Sequence, residues 1–212
     1  MEARTAIAQS KRLLIRRFVT EDAKSLIPIL SDNKVVSRLS ISPIETIEAS
    51  ESYLTKNYLS KYDAADAGEV NEFGLPIDYR FAICLPEAGG QPERLIGRIG
   101  ISSYGDVNNL GYYLASDVWG RGYASEACRL MQSVCRERGY PYLTATCGED
   151  NVASERVMRA SGMSYRYSFF NANESPVASV FYQVDLRGEG KTYFVSLKGD
   201  ATRWIDGLRA SE

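Results

Sequence analysis

The stretch from Leu110 to Gly139 constrains the fold of this chain more than any other. Its first five residues read as a short strand, and a polar turn then leads to Gly120 and Gly122, one residue apart. An amphipathic helix follows, because apolar residues recur at spacings of three and four. These residues are Ala124, Ala127, Cys128, Met131, Val134 and Cys135. The order strand, glycine loop, helix is typical of a phosphate-binding site, because the loop admits a ligand to the backbone and the helix start offers unpaired N–H groups.

The composition is that of a globular protein, with 212 residues of which 44% are hydrophobic and 25% charged. A formal net charge of −2 argues against nucleic-acid binding, which requires a basic surface. No apolar run is long enough to cross a membrane, and residues 1–12 lack the apolar core of a signal peptide. We therefore expect a cytoplasmic protein, monomeric or homodimeric, with no nucleic-acid or membrane partner.

The chain contains no histidine, which excludes Ser-His-Asp and Cys-His catalysis. Acid–base chemistry must then use carboxylates, tyrosines, hydroxyls or water. The four cysteines are not arranged in Cys-x-x-Cys pairs, so we expect free thiols rather than a metal site or a disulfide framework. They are Cys84, Cys128, Cys135 and Cys147.

Periodicity and turn residues predict an α+β fold in the order β-α-α-β-β-β-α-β-α-β-β, an α/β sandwich around a mostly antiparallel central sheet. Three strands before the glycine loop form a meander, and one β-α-β crossover carries the loop. The strands are expected at 12–18, 79–85, 94–102, 110–114, 142–147, 164–170 and 179–186.

The helix boundaries follow from capping residues. Thr20 is expected to cap the first helix, with a kink or an early stop at Pro28. The capping box Ser42-Pro43-Ile44-Glu45 predicts a second helix that ends near Ser60. Gly139 is placed to end the long helix after the glycine loop, and Asn151 is expected to cap a further helix over 152–160.

Three phosphate chemistries fit a glycine loop. A P-loop needs Lys and then Ser or Thr directly after its second glycine, but Tyr123 follows Gly122 here. A dinucleotide fingerprint is nearly matched by Gly120-x-Gly122-x-x-Ser125, although antiparallel strands precede it where parallel ones are required. Coenzyme A is the third, and it is the one that a family resemblance favours.

The chain resembles the GNAT superfamily of N-acetyltransferases, and within it the ribosomal-protein-alanine acetyltransferase (RimJ/RimL-like) branch. The resemblance covers Lys11 to about Leu186. It is carried by five stretches in order: Arg12 to Ala23, Leu95 to Gly100, Leu110 to Leu114, Trp119 to Ala127, and Glu149 to Met163. It implies a GNAT domain over 11–186, between a polar leader at 1–10 and an extension at 187–212.

The resemblance implies acetyl-CoA as co-substrate, with no metal. Residues 121–125 would wrap the pyrophosphate, the strand edge at 113–114 would pair with the pantetheine arm, and Asn151 would bond the pantetheine amide. Asn151 and Ser154 are also explained if they merely cap and line a helix start. The implied cofactor-binding residues are Tyr113, Leu114, Trp119, Gly120, Arg121, Gly122, Tyr123, Ala124, Ser125, Asn151, Ser154 and Arg156.

The catalytic candidates are Ser154, near the thioester sulfur, and Asn109. Asn109 stands where relatives often carry a glutamate base, and Met158 stands where many carry a tyrosine acid. Trp119 begins the glycine motif, where Gln or Arg is common. Direct acetyl transfer to a small-molecule or peptide amine is therefore implied without a strong base, which favours α-amines, amino sugars or other low-pKa amines over lysine. The alternative is an acyl-CoA-binding module with little catalysis that acts through a protein partner.

Two segments of the sequence each allow two interpretations. Residues 61–78 hold five acidic residues and one lysine, typical either of a solvated loop or of a negatively charged wall beside an amine substrate. The extension is expected to form a strand at 193–197 and a helix at 201–208. It then packs on the same domain, or it forms a dimer contact or a wall of the acceptor pocket.

Overall fold

A computed structural model describes residues 6–39, 41–70, 79–90, 92–104, 107–171, 178–192 and 202–204. Within them, nine strands form one sheet in the order β1-β2-β3-β4-β5-β6-β8-β7-β9. The strands are β1 Ala6–Gln9, β2 Leu14–Arg16, β3 Tyr79–Leu85, β4 Arg94–Tyr104, β5 Val107–Leu114, β6 Tyr142–Gly148, β7 Ser164–Asn171, β8 Ser179–Asp185 and β9 Thr202–Trp204. The helices are α1 Asp22–Leu30, α2 Asn33–Val36, α3 Ile47–Leu54, α4 Ser60–Asp66, α5 Tyr123–Glu137 and α6 Val152–Ala160.

The sheet is antiparallel except where β5 and β6 run parallel, joined by the crossover through α5. Strands β3, β4 and β5 form the predicted meander, and α5 and α6 begin and end close to their predicted limits. Helix α5 turns its apolar face into the core, where Ala127, Cys128 and Met131 are buried. The α+β class is therefore confirmed, and the observed order adds β1, α2, α4 and β9 to the predicted elements.

Residues 6–9, expected to belong to a polar leader, instead form edge strand β1 against β2. Ile7 and Ala8 supply its apolar contact, because both pack against the core. At the other end of the chain, residues 202–204 pair with β7 as strand β9, so the helix expected over 201–208 is wrong at these positions. Residues 193–201 and 205–212 lie outside the described residues.

The N-caps predicted for the first two helices, at Thr20 and at Ser42, are both wrong. Helix α1 begins at Asp22 rather than after Thr20, because the Asp22 carboxylate accepts the Val19 N–H at 3.0 Å and pairs with buried Arg16. It continues through Pro28 and ends two residues later.

Helix α3 begins at Ile47, where Thr46 Oγ1 accepts the Ala49 N–H at 3.2 Å, and not at the capping box of residues 42–45. Ile44 holds that box outside the helix, because its N–H donates to Leu30 O at 2.9 Å and its side chain is buried.

The second helical region does not end near Ser60. A π-helical turn at Thr55–Leu59 joins α3 to α4, and its Tyr58 is buried. Helix α4 continues to Asp66 and buries Tyr62. The acidic segment thus begins as a helix, and its Asp66 pairs with Arg17. Residues 71–78, the rest of that segment, lie outside the described residues. In the described part of the chain, none of the helices has the length and apolarity to cross a membrane.

Candidate active site

The glycine loop has the backbone that the sequence predicts. Gly120 and Gly122 adopt φ values of 75° and 78°, a region that side chains with a Cβ rarely enter. Gly122 occupies the N-cap of α5 and offers no side chain to bond the first N–H groups of the helix. The amides of residues 123–125 therefore point out of the helix start, where the helix dipole favours an anion.

Arg12 anchors this loop from the turn between β1 and β2. Its Nη1 donates to Arg121 O at 3.1 Å, and its Nε donates to Glu126 Oε2 at 2.8 Å. Its guanidinium also lies over the Tyr123 ring, 4.9 Å from the centroid. In the sequence, Arg12 is recognisable only as part of a motif. Its role could not be read there, because it comes from packing between residues more than a hundred positions apart.

Strands β5 and β6 separate beside the loop. Among the described residues they pair at one position, Asn109 opposite Thr144, and residues 110–114 have no register partner on β6. The other edge of β5 pairs continuously with β4 from Val107 to Leu114. One edge of β5 is therefore left unpaired by β6, and it is this edge that the sequence predicts as a binding edge.

The gap opens into a cleft of about 900 Å³, which extends to the start of α5 on one side and to the start of α6 on the other. Apart from Arg121, all the predicted site residues line it: Asn109, Tyr113, Leu114, Trp119, Gly120, Gly122, Tyr123, Ala124, Ser125, Asn151, Ser154 and Arg156. Arg121 is exposed and contributes its backbone carbonyl to Arg12 instead. Short helix α2 and the turn after it close the cleft on the remaining side, with Val35 in the helix and Arg38 in the turn.

Trp119 holds the loop against the strand end. Its Nε1 donates to Leu114 O at 2.9 Å, while 48% of the residue is exposed. The indole thus fixes the position of the polypeptide between β5 and α5 and leaves one face for a ligand.

Asn151 caps α6, because its Oδ1 accepts the Ser154 N–H at 3.2 Å. The capping interpretation of this residue is thereby confirmed. Its Nδ2 group makes no hydrogen bond to the residues that the structure describes, and it borders the cleft.

Tyr112 is a cleft residue that sequence reasoning missed. Its hydroxyl lies 2.9 Å from Ser154 Oγ and donates to Ser154 O at 3.1 Å. Burial raises the pKa of Tyr112 above its ordinary value, so the phenol stays protonated. A signal existed: Tyr112 and Tyr113 are adjacent in a strand, so their side chains must point to opposite faces of the sheet.

Asn109 lies at the closed end of the gap. Asn109 Oδ1 and Thr144 Oγ1 are both buried, and neither has a hydrogen-bond partner among the described residues. Met158 also lines the cleft and is buried in the core. The carboxylate among the described lining residues is that of Asp150, which accepts a hydrogen bond from Arg38 Nη1 at 2.7 Å. The structure therefore places no unpaired carboxylate among the described residues of the cleft.

Sequence comparison identifies the family. Residues 12–164, well over half of the chain, match the family described as "Acetyltransferase (GNAT) domain". The "Uncharacterized N-acetyltransferase YnaD" of Bacillus subtilis (strain 168) is 29% identical over 164 residues, which cover 76% of this chain and 84% of YnaD.

Solved structures share the fold. The chain is similar, with a TM-score of 0.66 and 17% identity, to RimL, a ribosomal alpha-N-protein acetyltransferase in complex with coenzyme A, over 85% of this chain and 98% of that one. It is similar to the microcin self-immunity acetyltransferase MccE in complex with acetyl-CoA and AMP, with a TM-score of 0.66 and 14% identity, over 83% and 93% of the two chains. The family match and the cleft agree, and the chain belongs to the GNAT acetyltransferase family.

Proposed function

We propose that this protein is an acetyl-CoA-dependent N-acetyltransferase that transfers the acetyl group directly to an amine of low pKa. The observation that carries the proposal is the cleft between β5 and β6, which joins an anion-binding helix start, an unpaired strand edge and a pair of hydroxyls. An α-amine of a peptide or amino acid, or an amino sugar, is the expected acceptor.

The donor half of the cleft suits acetyl-CoA. The amides of residues 123–125 would bind the pyrophosphate, because Gly120 and Gly122 let it approach the backbone. The pantetheine arm would add to the free edge of β5 at residues 113–114, as an extra strand adds to a sheet. Asn151 would donate its Nδ2 to the pantetheine amide while its Oδ1 caps α6.

The chemistry is a direct displacement. The neutral amine attacks the thioester carbonyl, a tetrahedral intermediate forms, and the C–S bond breaks to release the thiolate of coenzyme A. Strand-edge amides near Leu114 would polarise the carbonyl, and Ser154 would give the thiolate its proton. Tyr112, bonded to Ser154 Oγ, would orient that hydroxyl. The proton that the attacking nitrogen loses would pass through water and restore Ser154.

A covalent acetyl-cysteine route is not supported by the cleft thiol. Cys147 lines the cleft, but burial raises its pKa to about 11, so the thiol is protonated at neutral pH. A nucleophilic cysteine requires the opposite shift, since the thiolate is the reactive form. This supports direct transfer in a ternary complex.

The expected acceptor preference follows from the fraction of each amine that is neutral near pH 7. An α-amine with a pKa of about 8 is roughly a tenth neutral near pH 7, whereas lysine with a pKa of about 10.4 is neutral to less than about one part in a thousand. Asn109 cannot take up a proton, and Asp150 is held by Arg38. An enzyme with this cleft is expected to use amines that are already partly neutral.

The test measures release of free thiol from acetyl-CoA with a panel of amines at pH 7. Peptides with a free N-terminus and blocked lysines are compared with N-terminally blocked peptides that carry a free lysine. We expect a preference of at least about tenfold in kcat/KM for the α-amine, in the direction of the neutral fractions. A preference for the lysine side chain would contradict the proposed acceptor class.

The second candidate is an acyl-CoA-binding module, which Asn109 and Met158 favour because neither supplies a titratable group. A thermal-shift assay with acetyl-CoA detects either function, since a ligand at a hundred times its Kd stabilises by about 2.7 kcal/mol. Binding without thiol release for any amine would identify the module. Thiol release that depends on the amine would identify the enzyme.

A further inference from the structure

A second, smaller cavity of about 160 Å³ lies next to the cleft. Tyr113 of β5 and Leu39 line both spaces, so the cleft and the cavity meet at these two residues. Arg98 of β4 contributes a guanidinium group to the wall of the cavity. A ligand in the cleft can therefore extend past Tyr113 towards Arg98.

The register of the sheet places Arg98 beside the unpaired edge of β5. Arg98 lies opposite Tyr113 in the β4–β5 ladder. Its side chain reaches Gly111, because a Cβ built at that glycine would lie 3.0 Å from Arg98 Nη1. Gly111 belongs to the stretch of β5 that has no register partner on β6 and that lines the cleft. The guanidinium group thus lies over the strand that borders the cleft.

The donors of Arg98 have no partner in the part of the chain that the structure describes. The side chain is partly buried, and its guanidinium group takes part in no hydrogen bond and no ion pair there. A guanidinium group offers N–H donors and no acceptor, so whatever bonds to it must present an acceptor atom. A partly buried donor without a partner is unfavourable, and a ligand oxygen at this place would satisfy it.

Three tyrosines form the wall beside Arg98. Tyr58 Oη lies 2.8 Å from Tyr113 Oη and donates to Tyr53 Oη at 3.4 Å. The Tyr58 ring stacks on Phe18 with centroids 4.3 Å apart, which fixes it against the core. Burial raises the pKa of Tyr58 and of Tyr113, so both phenols stay protonated. The wall is therefore held in place and presents neutral hydroxyls, which suit a neutral polar group.

A peptide acceptor carries a suitable oxygen close to its amine. The carbonyl oxygen of the first residue is separated from the amine nitrogen by two carbon atoms, and it accepts hydrogen bonds without donating any. Hydrogen bonds from a guanidinium group to such an oxygen are stronger than those between neutral groups. An amine in the cleft beside β5 would therefore bring its own carbonyl oxygen over Gly111, where Arg98 Nη1 lies.

We propose that Arg98 binds the carbonyl oxygen next to the acceptor amine. It thereby selects the α-amines of peptides and amino-acid amides over amino sugars and simple alkylamines. The inference rests on the proposed function and narrows its acceptor class. Arg98 is then a specificity-determining residue, and Tyr113 marks the point at which the acceptor passes from the cleft to the smaller cavity.

Recognition of the carbonyl group fits the lack of a base in the cleft. The α-amine, which is next to a carbonyl group, has a pKa of about 8, whereas the lysine side chain has a pKa of about 10.4. Asn109 cannot take up a proton from an ammonium group. By binding the carbonyl oxygen, Arg98 selects amines that are already partly neutral.

The test compares two small acceptors on the wild-type protein. Glycine N-methylamide carries the carbonyl group, whereas 2,2-difluoroethylamine has a low amine pKa and no oxygen. Each kcat/KM is divided by the neutral fraction of its amine. We expect glycine N-methylamide to be better by about ten- to a hundredfold, the range of hydrogen bonds to charged groups. Equal or better use of 2,2-difluoroethylamine would overturn the proposal.

Arg98→Met removes the donors. It should raise the KM of glycine N-methylamide by about tenfold or more, affect 2,2-difluoroethylamine much less and leave the KM of acetyl-CoA unchanged. The matched control is Arg129→Met, at an exposed arginine of α5 that donates to Ala160 O, which should retain the preference.

A second variant covers a failure of Arg98→Met to fold. Arg98→Lys keeps the positive charge and loses the planar fork of donors, so it should also reduce the preference for glycine N-methylamide. An equal loss of activity with both amines would show that Arg98 is structural and would overturn the proposal.

A binding measurement separates this inference from the proposed function. Glycine N-methylamide should raise the melting temperature of the wild-type protein in saturating coenzyme A, and it should raise that of Arg98→Met less. This result with no acetyl transfer to any amine would refute the enzyme and keep the carbonyl site. Acetyl transfer with equal use of the two amines would keep the enzyme and refute the site.

Discussion

The hydroxyl of Tyr112 lies 2.9 Å from Oγ of Ser154 and joins strand β5 to the first turn of helix α6. These two residues come from opposite sides of the gap between β5 and β6. Their contact therefore spans the cleft, three residues along β5 from Asn109, where β5 pairs with β6. Because burial raises the pKa of Tyr112, the pair holds protons that are not lost at neutral pH.

Ser154→Ala should lower kcat by about ten- to a thousandfold, because it removes the proposed proton donor to the thiolate, with little change in the KM of acetyl-CoA. Tyr112→Phe should lower kcat by about tenfold, because it removes the hydroxyl that orients Ser154 Oγ. Steady-state thiol release measures both. Ser133→Ala, on the exposed side of α5, is the matched control. Values of kcat within twofold of wild type for both variants would refute the proton relay.

Asn109→Leu should separate activity from stability. Asn109 Oδ1 is buried without a partner among the described residues, so an apolar side chain of similar size should leave the free energy of unfolding unchanged or slightly higher. The same change should lower kcat/KM for the acceptor by about tenfold if the oxygen accepts an amine N–H.

The neighbouring Asn108→Leu is the control for Asn109→Leu. Asn108 is buried, accepts from Ser103 Oγ at 2.9 Å and reaches Tyr142 O at 3.5 Å, so its loss should destabilise the fold. Urea unfolding and acceptor kinetics give the two readouts. A large loss of stability in Asn109→Leu would show that its amide is structural.

Gly97 and Gly111 should respond differently to alanine. A Cβ at Gly97 would lie 2.2 Å from Tyr113 O, a backbone atom that cannot move without opening the β4–β5 ladder. Gly97→Ala should destabilise by about 3 kcal/mol or more, beyond the usual range for overpacking. A Cβ at Gly111 meets the flexible end of Arg98 instead, at 3.0 Å.

Gly111→Ala should therefore fold and lose less stability than Gly97→Ala, because the end of the Arg98 side chain can move away from the added methyl group. Soluble yield and urea midpoints compare the two variants. Equal stability of the two variants would show that the strand ladder accommodates a methyl group at Gly97.

Glu155 should contribute stability that disappears in acid. Tyr182 Oη donates to Glu155 Oε1 at 2.7 Å and Arg159 pairs with the same carboxylate, which together hold the Glu155 pKa below its ordinary value. A carboxylate with a lowered pKa in the folded state stabilises above its unfolded pKa of about 4.3 and loses that contribution as the pH falls through the folded pKa.

The difference in free energy of unfolding between wild type and Glu155→Gln should accordingly be constant from pH 7 to about 5 and narrow towards pH 3. Urea midpoints over this range measure it. Glu137→Gln, an exposed residue at the end of α5, controls for a general effect of charge. A difference that does not change with pH would show that Glu155 acts through packing alone.

Local signals predicted the backbone of the glycine loop and the starts of α5 and α6. The two glycines, the apolar face of α5 and the Asn151 cap are each encoded within a few residues of the place where they act. The caps at Thr20 and Ser42 failed for the opposite reason. Asp22 bonds buried Arg16, and Ile44 bonds Leu30, so tertiary contacts override the local capping preference at both helix starts.

Contacts between residues on different strands could not be predicted, because they depend on the register of the sheet. Arg80, Arg98 and Tyr113 converge only once β3, β4 and β5 are aligned, and Tyr58 reaches them from the π-helical turn. Each of these residues reads alone as an ordinary strand or helix residue. The contact of Tyr112 with Ser154 likewise joins residues 42 positions apart.

Among the described residues, β5 and β6 pair only at Asn109 and Thr144. The sheet therefore consists of two half-sheets, β1 to β5 and β6 to β9, with a weakly paired seam between them. Amides along such a seam exchange with solvent through small local openings rather than through global unfolding. A pantetheine arm that bonds to residues 113–114 would close the seam from within. Acetyl-CoA should then slow deuterium uptake in residues 110–114 more than in β3. With the co-substrate bound in place of a strand, the two half-sheets should unfold as one cooperative unit.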